Sequence, residues 1–307
     1  MIDLLVPLIA TLIGASTPIL LAAIGELVTE RSGVLNLGVE GMMIMGAGCG
    51  FIITVNTGSP WLGFIAGAIG AAALSSVFGF LTQVLLSNQV ATGLALTLFG
   101  LGIAALMGES YTGINPALTP KLYGEGLREL PNIGPIFLGH DLIVYLSVAL
   151  VAGVWITLNR TRVGLILRAV GENHDAAHAL GYKVVRIRFA AILFGGACAG
   201  LGGAYLRLVR VPSWTEGMTA GAGWIALAIV VFASWRPWRA LIGAYLFGGI
   251  TALQLRLQAA QIALPVALLD ASPYLVTIAV LVVMSSGRAR AALNAPAALG
   301  KVFHASG

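Results

Sequence analysis

Residues 160–188 read RTRVGLILRAVGENHDAAHALGYKVVRIR, a charged, glycine-punctuated stretch set between long apolar segments. Six of the chain's seventeen Lys and Arg residues fall inside it: Arg160, Arg162, Arg168, Lys183, Arg186 and Arg188. Asn173 has the side chain to cap a short helix, Asp175 follows in the first turn, and Gly181 supplies the left-handed residue that ends it. Ala176, Ala177 and Leu180 then form a small apolar patch on one helical face. A capped helix in a basic loop between apolar segments is a handle that a membrane protein offers to something outside the bilayer.

Composition agrees with that reading. The chain has 307 residues, of which 58% are hydrophobic and only 9% charged, and its mean hydropathy is +0.95. Soluble domains carry about 25% charged residues, so this chain cannot surround itself with water. Apolar runs near the roughly 20 residues that span a bilayer as helix recur along the whole length, and alternating strands of barrel type do not. The expected fold is all-α: a polytopic helical membrane protein with about 8–10 transmembrane segments.

The formal charge of +5 does not point to nucleic acid, because the basic residues lie in loops between spans. Forty glycines, well above the usual ~7%, suit close helix packing in lipid. Gly195, Ala199 and Gly203 are spaced four apart, as are Gly196, Gly200 and Ala204, and Gly63, Gly67 and Ala71. Helix packing suffices to explain all three seams. Cys49 and Cys198 sit in apolar runs and read as packing residues rather than a disulfide. The start MIDLLVPLIA has an acid and no basic region, so it reads as a first span rather than a cleaved leader.

Apolar segments fall at about 4–25, 34–55, 62–86, 91–108, 141–158, 187–209, 221–235, 240–257 and 269–285. With 26–33, 87–90, 159–186, 236–239 and the tail after 285 inside, twelve Lys and Arg are inside and five outside, which sets the orientation. The whole chain then forms one transmembrane domain, 1–307. Loop 159–188 and the C-terminus are cytoplasmic, and the proline-rich loop 109–139 lies outside. Segment 34–55, dense in Gly and Met and carrying Glu40, is the one that a break or re-entry would affect. Asp141 marks an outer helix boundary, Ser272–Pro273 the start of the last span, and Arg256 and Asp270 could pair near the outer face.

Asn36 and Glu40 are four apart and would share a helical face. A carboxylate within an apolar span faces a water-filled path or a partner group, so the pair either lines a solute passage or braces its wall. The alternative is a Glu40 hydrogen-bonded to backbone at a helix break. Trp214 to Ala228, WTEGMTAGAGWIALA, leads into a span through Gly217, Gly221 and Gly223, which let backbone approach backbone or ligand closely. Trp224, and Phe99 on an earlier span, are the aromatic candidates for the passage. Trp214 reads as a belt residue, and Trp235 and Trp238 as inner-interface anchors. His174 and His178 stand four apart, but with no third ligand nearby no metal is expected.

Absences narrow the function. There is no G-x-x-x-x-G-K-[ST] loop, so the chain does not hydrolyse ATP by that route. No H-E-x-x-H, G-x-S-x-G or cysteine–histidine cluster is present, and an enzyme is not expected.

Three stretches together resemble one family. GELVTERSGVLNLGVEGMMIMGA, RAVGENHDAAHALGYKVVRIR and GMTAGAGWIALAIVVF resemble the branched-chain amino acid and sugar class of ABC importer permeases. Among these the chain is most similar to the nucleoside and simple-sugar permeases served by basic-membrane-protein-type binding lipoproteins. NQVATGLALTLFG at 88–100 is similar to the shorter of the two unlike permeases in such systems.

The resemblance implies that the A-V-G-E-N loop is a coupling helix docking on a cytoplasmic ABC ATPase, which carries the ATP and Mg. It places Gly171, Glu172, Asn173, Ala176, Ala177, Leu180 and Gly181 at the docking surface. Relatives commonly have proline where this chain has His174. The resemblance also implies a second, non-identical permease, an extracytoplasmic binding lipoprotein and a bacterial inner-membrane location. The implied solute is a nucleoside or related purine, with a simple sugar as the alternative. A secondary transporter driven by an ion gradient is the rival from another class; it would not need the capped cytoplasmic helix.

Overall fold

A computed structural model describes residues 2–111, 113–114, 119–124, 126, 134–211, 217–219, 221–259, 271–272, 275, 278–279, 282 and 295–304. Among them the regular structure is helical: α1 (Ile2–Arg31), α2 (Val39–Thr57), α3 (Pro60–Gln83), α4 (Gln89–Glu109), α5 (Leu142–Arg160), α6 (Arg162–Glu172), α7 (His174–Ala179), α8 (Val184–Tyr205), α9 (Ala222–Phe232) and α10 (Pro237–Ala259). Among the described residues seven helices are long and apolar enough to cross a bilayer: α1 to α5, α8 and α10. The remaining apolar helix, α9, has 11 residues and rises about 16 Å, half of a ~30 Å hydrocarbon core. The expected last span at 269–285, with Asp270 and Pro273, lies largely outside the described residues, as does Trp214.

α8 is the central helix, packed against α1, α2 and α3 at once. Its small residues explain how. A Cβ at Gly200 would sit 2.3 Å from the Gly67 carbonyl oxygen of α3, and one at Gly203 would sit 1.8 Å from that of Met43 in α2. Only glycine allows three backbones to approach one helix this closely. The four-residue seams are helix packing, as expected.

Two boundaries differ from the sequence reading. The stretch 26–33 was expected to be loop, yet α1 continues to Arg31 with Glu26 and Glu30 fully buried. Two carboxyl groups broke the apolar pattern, but both find hydrogen-bond partners inside the protein, Asn36 for Glu26 and the Trp235 indole for Glu30, so the helix need not end. Helix α2 begins only at Val39, and the preceding segment 32–38 is irregular and largely buried. Asn36 is therefore not on a helix and shares no helical face with Glu40.

Non-helical backbone at this depth survives only if its polar groups find partners, and here they do. The Gln89 side chain accepts from Leu35 N–H at 2.8 Å, Glu26 from Asn36 N–H at 3.2 Å, and Asn36 Oδ1 from Gly38 N–H at 2.9 Å. Thr97 donates to the Leu37 carbonyl at 3.1 Å. Arg188 Nε donates to that of Ser32 at 3.2 Å.

Arg31, the α6–α7 elbow, the start of α8, the α9–α10 turn and the tail 295–304 gather at one end of the bundle. We call it the basic end. The tail is held there by Gly300 N–H donating to the Gly33 carbonyl (3.1 Å) and Ala298 N–H to that of Gly171 (2.9 Å).

Candidate functional site

The elbow at the basic end forms as its caps dictate. Thr161 Oγ1 accepts from Gly164 N–H at 3.2 Å and starts α6. Asn173 Oδ1 accepts from Ala176 N–H at 2.9 Å and starts α7, and Gly181 at φ +88° ends the turn that follows α7. Helix α6 buries Gly164, Val170 and Gly171 against the bundle and exposes Arg162, Val163, Leu165 and Glu172.

Of the seven expected docking residues, Glu172, Asn173, Ala176, Leu180 and Gly181 are exposed, with Leu180 at 78%. Gly171 and Ala177 are not. Gly171 is pressed against Arg31, where a Cβ would meet the carbonyl oxygen at 2.1 Å, and Ala177 packs with Val170, Val184 and Phe303. The reason is the tail: Phe303 covers the inner face of α7, a partner that no local pattern in 160–188 announces.

Beneath α7 lies Arg188, fully buried. Its guanidinium donates to the carbonyls of Ser32 (3.2 Å) and Lys301 (3.0 Å) and through Nη2 to His174 Nδ1 (3.0 Å). One side chain therefore joins the break at 32–38, the tail and α7. The His174 ring also meets Phe303 edge-on at 5.4 Å. Burial, with the adjacent Arg188 cation adding to it, lowers the His174 pKa below its ordinary value. The contacts of that ring, rather than a pyrrolidine ring, fix the first turn of α7.

Glu40 stands at the start of α2, buried. Its Oε1 accepts from the Thr219 hydroxyl and from Gly221 N–H at 3.1 Å, and its Oε2 from Gly223 N–H at 2.7 Å. A carboxylate at the first turn of α9 meets both its unpaired N–H groups and the positive end of its dipole. This is the hydrogen-bonded arrangement weighed as the alternative for Glu40. The backbone it binds belongs to a helix some 180 residues away in the chain. Gly223 lies so close that a Cβ would touch the Glu40 backbone at 2.6 Å.

The other end of α9 is pinned as well. Ser234 and Trp235 take left-handed φ of +50° and +55°, a conformation that costs non-glycine residues about 1–3 kcal/mol each. It turns Trp235 inward, where Nε1 donates to Glu30 Oε2 at 2.5 Å and the carbonyl accepts from Arg31 Nε at 3.2 Å. Trp235 is thus a buried pin and not the interface anchor expected. Trp238, 42% exposed, has the exposure of an anchor.

The four expected passage residues divide. Asn36 and Glu40 are buried and hydrogen-bonded within the chain, while Phe99 (53% exposed) and Trp224 (38%) lie on its surface. They flank one place: next to Phe99, Gly100 packs on Gly41, and next to Trp224, Gly223 packs on Glu40.

Arg207, in a π-type turn Leu206–Arg210 that continues α8, is fully buried. Its guanidinium lies 3.6 Å above the Phe51 ring and Nη1 donates to the Val211 carbonyl at 2.7 Å. Among the described residues Nε and Nη2 have no hydrogen-bond partner. Buried unpaired donors of this kind are rare in native proteins and call for an explanation.

Comparison with known proteins identifies the class this architecture belongs to. The sequence profile described as "Branched-chain amino acid transport system / permease component" matches residues 8–285, and the chain belongs to that family. It is 45% identical to a putative glucose ABC transporter permease of Haloferax volcanii, over 87% of this chain and 88% of the relative. It is 31% identical to a nucleoside ABC transporter permease of Lactococcus lactis, over 89% and 90% of the two chains. A guanosine ABC transporter permease of Bacillus subtilis is 32% identical over 80% of each. The protein is thus a multi-pass ABC permease of the sugar and nucleoside class.

Proposed function

We propose that this chain is one translocation domain of an ATP-driven importer, with its basic end in the cytoplasm, and that α7 is the helix on which a partner ATPase pulls. The observation that carries this is α7 itself. It is capped, exposed at Ala176 and flanked by exposed Glu172, Asn173 and Leu180, and fixed from beneath by Phe303 and Arg188 rather than left loose. ATP and Mg belong to the ATPase. A second, non-identical permease and an extracytoplasmic binding lipoprotein complete the assembly in a bacterial inner membrane.

The buried hydrogen bonds supply a route for the stroke. A shift of α7 moves Arg188, which holds the Ser32 carbonyl in the break before α2. The break carries Asn36, bonded to Glu26, and runs directly into Glu40, which caps α9. Displacing α7 therefore acts on the start of a half-length helix at mid-bundle. Phe99 and Trp224 beside it face the second permease and line the passage; Asn36 and Glu40 brace its wall. The spare donors of Arg207 above the Phe51 ring suit a ring solute bearing hydroxyl groups, such as a nucleoside or a sugar.

Two solute readings are carried forward. A nucleoside or related purine is supported by the resemblance at 88–100 and by the relatives named for nucleoside and guanosine. A simple sugar is supported by the greater identity to the permease named for glucose. The test of the class is co-purification of the tagged chain with its chromosomal neighbours in mild detergent, followed by uptake of labelled guanosine and glucose in liposomes. A stoichiometric ATPase and second permease, with ATP-dependent uptake, is expected. A chain that purifies alone and transports without ATP would overturn the proposal in favour of a secondary transporter.

A further inference from the structure

At the basic end, a cavity of about 750 Å³ opens between α5, α6 and the α9–α10 turn. Four arginines line it, Arg31, Arg168, Arg236 and Arg239, against a single carboxylate, Glu172. Arg168, Arg236 and Glu172 are all close enough to act electrostatically on Arg31. Two of the guanidiniums are tethered through Nε alone: Arg31 to the Trp235 carbonyl at 3.2 Å and Arg168 to that of Gly164 at 3.4 Å. Among the described residues none of the four forms an ion pair or uses its terminal nitrogens in a hydrogen bond. Packing four like charges around one concavity is unfavourable unless an anion sits among them, and planar guanidinium forks match the oxygens of a phosphate.

The surroundings say which anion. Trp155 and Trp238 stand in the wall of the cavity, the side chains that mark headgroup level in a bilayer. Beside them Ile156 on α5 (49% exposed) and Ile242 on α10 (63% exposed) present apolar surface on membrane-spanning helices. A volume of this size accommodates a small polar ligand, and basic pockets between membrane helices hold anionic headgroups. We propose that the cavity binds the phosphodiester headgroup of an anionic phospholipid from the leaflet at the basic end, with its acyl chains lying along Ile156 and Ile242. Since Glu172 forms part of the same wall, the bound lipid borders the exposed surface of α7.

The test uses the full-length chain, delipidated in detergent and titrated with phosphatidylglycerol or phosphatidylcholine, with retained lipid read by native mass spectrometry. Phosphatidylglycerol is expected to be retained at least about tenfold better. The double variant Arg236→Gln/Arg239→Gln alters two exposed side chains and leaves the fold intact. It should lower that retention about twenty- to thirty-fold, whereas Arg210→Gln at the opposite end should not change it. Equal retention of the two lipids, or an unchanged double variant, would overturn the proposal. Displacement of the lipid by millimolar inorganic phosphate would also overturn it, by assigning the cavity to a soluble anion. None of these readouts depends on transport or on a partner chain.

Discussion

Two of the interruptions in the helical pattern at the basic end, 32–38 and 173–183, are solved in opposite ways. The first is buried, and the backbone groups that its turn exposes are met by side chains from α1, α4 and α8 and by the tail. The second is exposed on its outer side, where an Asn cap at one end and a left-handed glycine at the other shape it, while His174 and Ala177 pack inward on Arg188 and Phe303. A buried interruption cannot shift without losing hydrogen bonds that water is not there to replace. An exposed one can be gripped and moved. The protein joins the two through Arg188, so that the movable interruption acts on the rigid one.

Removing that joint should have the largest effect. Arg188→Leu leaves three acceptors without their donor, and charged hydrogen bonds of this kind are worth about 1.5–3 kcal/mol each before relaxation. We expect a loss of about 3 kcal/mol in denaturant or thermal unfolding of the purified chain, together with loss of coupled transport. Wild-type stability in this variant would show that the two interruptions are independent. Next, Glu40→Gln keeps the shape but turns an amide toward the N–H groups of α9. Uptake should fall about tenfold, the equivalent of ~1.4 kcal/mol, while the assembly stays intact by size-exclusion chromatography.

These two predictions also mark where the sequence is legible. The caps at Asn173 and Gly181 could be named in advance because a cap and the groups it serves lie within three or four residues. The same holds for Asp141, whose Oδ1 accepts from Ile143 and Val144 N–H. The partners of Glu40 could not, since Thr219, Gly221 and Gly223 are distant in the chain and come near only when α9 packs on α2. Glu26 and Glu30 misled for a related reason. A carboxylate in an apolar run reads as a boundary until its buried donors, Asn36 and the Trp235 indole, are known. Arg188 was counted as one more loop cation, although its position on the inner face of α8 makes it the least exposed of the six.

Smaller effects sharpen the contrast. Glu172→Lys reverses charge just before the exposed interruption, where the solvent-exposed carboxylate accepts from Ala297 N–H at 3.4 Å and faces Arg31. Its expected signature is about a fivefold drop in solute-stimulated ATPase activity of the assembled complex with unfolding unchanged. A destabilised chain would mean that Glu172 belongs to the buried framework instead.

The smallest effect should be one of pH. The pKa of His174 is lowered in the folded protein from an ordinary 6.5, so the native state favours the neutral ring. Above about pH 6.5 the packing of α7 on the tail is fully present. As pH falls below that value the unfolded state gains the proton first, and stability is lost progressively until the folded pKa is passed. Amide protection factors at Ala298 and Gly300 should therefore drop between pH 7.5 and 5.5. In His174→Gln they should be flat across that range; an equal drop there would remove His174 from the explanation.

The central claim is that the exposed face of α7, and not its buried face, meets the ATPase. A photo-crosslinking amino acid placed at Leu180 in the assembled complex tests it most directly, with Ile242 on the apolar surface of α10 as the control. The account predicts an ATP-sensitive crosslink from Leu180 to the ATPase and none from Ile242. A complex that transports normally but gives no ATPase crosslink at Leu180 would contradict it.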